Sequence, residues 1–184
     1  MIPPSQPLPL PITPTSNQQQ SLKQVLILGF FFLFLTLTYS SFSTIITYIY
    51  EHHEGFAYLG PLLLVTNYSV FMFCNLLAPY VNVRYKKQFV VGAMCYTINY
   101  ALEIPVDLDT FGIGLLIAGS ALGGMGAAII WVSQGGFMNA LFQKYDIPHD
   151  YKGRYFGMLN MIVFSNILLG SLVTTFGLRF FGDS

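Results

Sequence analysis

The chain has 184 residues, 54% of them hydrophobic and 9% charged, with eight acids balancing eight bases. Ordinary soluble domains carry about 25% charged residues, and a water-surrounded domain of this size needs a polar shell that so few charges do not furnish. Zero net charge without a concentrated basic patch excludes nucleic acid as a partner. Lipid is the solvent this composition suits.

Residues 1–21 are rich in Pro, Gln, Ser and Thr, without charge or periodicity, and are expected to form a disordered cytoplasmic tail. They resemble neither a secretory signal nor a mitochondrial presequence, because Lys23 is the first base and the apolar run behind it is too long for a signal core. The first membrane helix is therefore expected to stay in place as a signal-anchor.

Charges mark the spans. None occurs between Lys23 and Glu51, Glu54 and Arg84, Lys87 and Glu103, Asp109 and Lys144, or Arg154 and Arg179. About 20 apolar residues cross the ~30 Å of hydrocarbon in a bilayer. The expected fold is all-α: a polytopic bundle of five helices at about residues 22–50, 56–80, 85–104, 111–137 and 154–176, with a short non-cytoplasmic tail over 179–184. The third span is short and needs Lys86 and Lys87 to snorkel at one interface while Glu103 marks the other. Pro105 stops it.

The first helix opens with Phe30, Phe31, Phe32 and Phe34 and turns polar at Ser40, Ser41, Ser43, Thr44 and Thr47. Hydroxyls find no partner in lipid, so this half is expected to face other helices or a cavity. Asn67, Asn75, Asn99, Asn160 and Asn166 lie inside the spans, where they either bridge helices or line a polar path. Ser40, Ser41, Asn67, Asn75 and Asn99 form the candidate path. Asn67-Tyr-Ser69 is a glycosylation sequon that burial would silence.

The fourth helix carries Gly119 and Gly123 in a GxxxG pair, extended by Gly123/Ala127 and Gly124/Ala128. Small residues at this spacing let two helix backbones approach closely in a membrane. A dinucleotide-binding turn would need a strand and a βαβ unit, which an uncharged membrane run lacks. Trp131 follows Phe111 by 20 residues, ~30 Å along the helix, and is expected in the aromatic belt at the cytoplasmic interface. Gln134 is a candidate for a substrate or gating role.

Seven of the eight bases fall on one side of the five spans, namely Lys23, Arg84, Lys86, Lys87, Lys144, Lys152 and Arg154, with Arg179 alone on the other. The positive-inside rule places the N-terminus in the cytoplasm. On the opposite side, Glu51-His52-His53-Glu54 lacks the HExxH spacing of zinc hydrolases and reads as a solvated loop, with pH sensing as the functional alternative. Cys74 and Cys95 sit in apolar stretches and read as packing residues. No ionisable residue is expected at mid-membrane, which weakens the case for a proton- or ion-coupled carrier. No nucleophile–base set, metal cluster or phosphate loop emerges, so neither enzymatic activity nor a cofactor is expected.

The run Asn75-Leu-Leu-Ala-Pro79, followed by Lys86 or Lys87, Gly92 and Tyr96, resembles the second-to-third helix region of the uncoordinated-93-like (UNC-93-like) family. That family is a branch of the major facilitator superfamily. Residues 123–135, GGMGAAIIWVSQG, are similar to its fourth-helix pattern, with Trp131, Gln134 and Gly135 as the more specific part. Gly153, Phe156, Gly157 and Asn166 to Gly170 continue the likeness, which covers about residues 22–176. The resemblance implies the N-terminal half of a 12-helix bundle whose substrate site lies between two halves. Five helices then form a complete transporter only with further helices or a partner chain. The superfamily's acid between the second and third helices is missing from residues 80–87.

Members of that family are known as regulatory or trafficking partners of potassium channels and innate immune receptors. The resemblance therefore implies a non-enzymatic membrane partner in a plasma membrane or endomembrane, held by the bilayer and by a client membrane protein. Alternatives are a major-facilitator-type solute transporter and a truncated inactive product.

Overall fold

The computed structural model describes residues 16–51, 56–80, 84–103 and 110–181. Within them the chain forms five helices: α1 (Ser16–Glu51), α2 (Leu59–Leu77), α3 (Tyr85–Glu103), α4 (Thr110–Lys144) and α5 (His149–Phe181). A 3-10 turn over Ala78–Tyr80 ends α2. Residues 1–15 of the tail expected over 1–21, and the His52–His53 pair, lie outside the described residues; residues 16–21 belong to α1.

Four of the helices, α1, α2, α4 and α5, are long and apolar enough to cross a membrane. At 1.5 Å per residue the 36 residues of α1 measure about 54 Å. The 35 residues of α4 measure about 52 Å, so both exceed the hydrocarbon layer and extend beyond it or tilt. The 19 residues of α3 measure about 28 Å and pack along α4 from Gly136 back to Gly119. Helices suit this solvent because every backbone polar group is satisfied within its own segment. The hydroxyls follow the same rule. Thr38 donates to the Phe34 carbonyl at 2.8 Å, Thr66 to Leu62 at 2.9 Å and Ser171 to Ile167 at 2.8 Å. A hydroxyl can therefore face lipid by bonding back to its own helix. The polar half of α1 need not turn wholly inward, and Thr38 and Thr44 are exposed.

α1 begins at Ser16, earlier than its charge-free window, because its first turns are tied to α5 and to the α4–α5 connection. Ser21 Oγ lies 2.8 Å from Tyr155 Oη, and Gln24 donates to Tyr145 Oη at 2.9 Å. α4 runs beyond residue 137 to a stop built from backbone geometry. Ile147 N–H donates to the Phe142 carbonyl at 3.0 Å and Asp146 N–H to Gln143 at 3.4 Å, with Asp146 left-handed at φ 49°. This is a Schellman cap, its apolar clasp supplied by buried Phe142 and Ile147. Pro148 prevents continuation and α5 starts one residue later.

The helices alternate in direction. α4 holds α2 and α3 against two of its faces, while α1 pairs in parallel with α5. Aromatic rings join these two groups. Along parallel α1 and α3, Phe31 and Phe32 meet Phe89, Tyr39 meets Tyr96, and Phe42 meets Tyr100, edge to face at 5.0–6.2 Å. Each such pair contributes about 0.5–1.5 kcal/mol beyond its burial. Bulky rings keep the α1 and α3 backbones apart, just as glycines bring α3 and α4 together.

Candidate functional site

Glycines set the geometry around α4. A Cβ at Gly124 would fall on the Asn67 carbonyl oxygen and lie 3.1 Å from the Phe71 backbone nitrogen, so α2 rests directly on this residue. On the neighbouring face, a Cβ at Gly126 would lie 2.9 Å from the Gly92 carbonyl oxygen, and one at Gly92 would lie 3.0 Å from that of Gly126. α3 and α4 thus cross at a pair of glycines. Gly119 faces Leu102 and Asn99, and Gly123 faces both Asn67 and Asn99. Ala127 and Ala128 are buried beside them.

The small residues of α4 therefore serve two seams: Gly124 meets α2, while Gly119 and Gly126 meet α3. Gly126 is a contact that the GxxxG pairing passes over. Its signal lies in the i, i+4, i+7 stripe of Gly119, Gly123 and Gly126, which is one helix face.

Polar groups close the α2–α4 seam. Asn67 donates its amide to the Ser120 carbonyl at 3.0 Å, and Ser120 Oγ donates to the Leu63 carbonyl at 2.6 Å. Asn67 is buried, so the sequon is inaccessible in this fold. Asn99 is 1% exposed and its Oδ1 has no hydrogen-bond partner.

A groove of about 770 Å³ opens between α1, α2 and α5, walled by Tyr39, Ser40, Asn67, Tyr96, Trp131 and Asn166 among others. Of the candidate polar path, Ser40 and Asn67 reach this groove. Ser41 does not line it and keeps a buried hydroxyl without a partner. Asn75 donates to the Phe71 carbonyl of its own helix at 3.0 Å, and Asn99 packs at the α3–α4 seam.

Trp131 lies in the middle of a helix that is longer than a bilayer is thick. Because α4 continues to Lys144, Trp131 sits about 20 Å short of the helix end. There it packs edge to face on Phe32 at 5.7 Å and forms part of the groove wall. Gln134 is 4% exposed with Oε1 unpartnered, and Gly135 has no neighbour within 4 Å of a Cβ position. Ser133 Oγ sits 2.6 Å from the Ile129 carbonyl and 3.1 Å from Gln88 Oε1. Cys74 and Cys95 are free thiols, and no metal-holding group of His, Cys, Asp and Glu occurs among the described residues.

Long apolar helices, glycine seams and hydroxyls bonded to their own backbones define an integral, multi-pass membrane protein of the all-α class. Residues 51–179 match the family model described as ion channel regulatory protein UNC-93, and the chain belongs to that family. No curated protein and no solved structure matches it.

Proposed function

We propose that this protein is a non-enzymatic regulatory or trafficking partner of an ion channel in the same membrane. The observation that carries this reading is the match of residues 51–179 to a family of channel-regulating proteins. The outer faces of α2 and α5 support it. Met72, Phe73 and Leu76 on α2 and Met161, Leu168 and Leu172 on α5 are exposed, and a second membrane helix can replace lipid there without losing hydrophobic burial. In the proposed topology α3 also crosses the bilayer, and the basic end of the bundle, with the N-terminus, faces the cytoplasm. Co-expression with potassium-channel subunits tests the function. Co-purification in mild detergent together with an altered current density is expected. Absence of both across a panel of subunits from the same membranes would overturn it.

The groove favours a second reading, solute passage, because its walls carry hydroxyl and amide groups that lipid would not reward. That reading requires further helices or a partner chain to close the groove. Uptake into liposomes containing the chain and its partner, inhibited by Trp131→Ala, is its test; uptake equal to empty liposomes would eliminate it.

A further inference from the structure

At the end of the bundle away from most bases, the large groove adjoins a small cavity of about 20 Å³ between α1, α2 and α4, and Tyr39, Ser43, Thr47 and Asn67 line both. The small cavity has room for about one water-sized particle. Its polar lining consists of Tyr39, Ser43 and Thr47 from α1, Asn67 from α2, Glu103 from α3 and Ser120 from α4. Glu103, expected to mark a membrane interface, is the last residue of α3 and lines this cavity.

Three features distinguish this cavity from an ordinary packing defect. The hydroxyls of Tyr39, Ser43 and Thr47 make no hydrogen bond among the described residues, although most hydroxyls on these helices bond back to their own backbone. Asn67 spends its amide nitrogen on the Ser120 carbonyl, which leaves its oxygen as an acceptor. No Lys or Arg lines the cavity among the described residues, so the Glu103 carboxylate has no cationic side chain beside it there. Oxygen-bearing side chains from four helices thus line one small void, with Glu103 as its acidic member.

We propose that this cavity is a binding site for one monovalent alkali cation, with Glu103 as the charged ligand and the oxygens of Asn67, Ser43, Thr47 and Tyr39 as neutral ones. Hard cations take oxygen ligands. One monovalent ion neutralises one carboxylate, whereas a divalent ion would leave an uncompensated charge inside the bundle. Because its ligands come from α1, α2 and α3, bound cation would clamp the α1–α5 pair onto the α2–α3–α4 group. The proposal concerns this chain alone and does not depend on the identity of any client.

Thermal unfolding of the full chain in detergent, followed through reactivity of the buried Cys95 thiol, provides the test. It is run in choline, sodium and potassium chloride at equal ionic strength. Sodium or potassium at tenfold excess over its Kd is expected to raise the midpoint by about 3–6 °C over choline, saturably, and comparison of the two salts identifies the ion. Glu103→Gln keeps the side-chain shape and is expected to abolish this shift. Ser43→Ala is expected to move the shift to higher cation concentration, and serves if the first variant does not fold. Equal midpoints in all three salts, or a shift that persists undiminished in both variants, would overturn the proposal.

Discussion

Gly124→Ala adds one methyl group at the place where two helix backbones touch. The new carbon would fall on the Asn67 carbonyl oxygen, with the Phe71 backbone nitrogen and Asn67 carbonyl carbon each 3.1 Å away. Ordinary carbon–oxygen contacts sit at about 3.3–3.6 Å. No rotamer relieves the overlap, since every atom concerned is backbone, and α2 must move away from α4. Overpacking of this kind costs about 1–3 kcal/mol. The Asn67–Ser120 and Ser120–Leu63 hydrogen bonds cross the same seam and stretch with it, each contributing about 0.6 kcal/mol in a membrane. The unfolding midpoint is therefore expected to fall by about 2–17 °C. Cys95 reports the transition without added label, because its thiol is buried beside Gly126 until the α3–α4 seam opens. Gly135→Ala is the control: it adds the same methyl to the same helix with nothing within 4 Å. A midpoint for Gly124→Ala equal to or above that of Gly135→Ala would refute the close-contact reasoning.

Two further perturbations probe other parts of the fold. Asp146→Gly relieves a left-handed residue at the end of α4 and should stabilise the protein by up to about 1 kcal/mol; a lower unfolding midpoint would contradict the cap geometry. Tyr155→Phe removes the hydroxyl that meets Ser21 Oγ and the Gln18 carbonyl, at a cost of about 0.5–1.5 kcal/mol. Hydrogen exchange should then quicken in the first turns of α1 and not in α3, and unchanged protection there would show that this contact does not anchor the helix.

Much of the architecture was legible from residue chemistry alone. Long charge-free windows bounded by Lys, Arg and Glu specify membrane helices, because lipid offers no partner for charge or for unpaired backbone. The small residues of α4 announced close packing for the same solvent-based reason. Helix ends were less legible. Polar Gln18 and Ser21 looked like tail, yet they extend α1 because Tyr155, more than a hundred residues away, meets them. The end of α4 depends on a backbone cap at Asp146, which no apolar window reveals.

Which way each helix faces was decided by tertiary structure. Apolar residues are spread almost evenly around α4, so no apolar stripe tells which neighbouring helix Gly124 or Gly126 meets. Only the seated neighbours assign one to α2 and the other to α3. The same holds for Trp131, brought to the groove wall by Phe32 from α1, and for Glu103, placed in the cavity lining with Tyr39 and Asn67. The sequence by itself determined that the chain enters a membrane as helices, since that follows from the transfer of each residue into lipid. The rotation of each helix about its axis, and with it the groove and the small carboxylate-lined cavity, depends on which surfaces interlock.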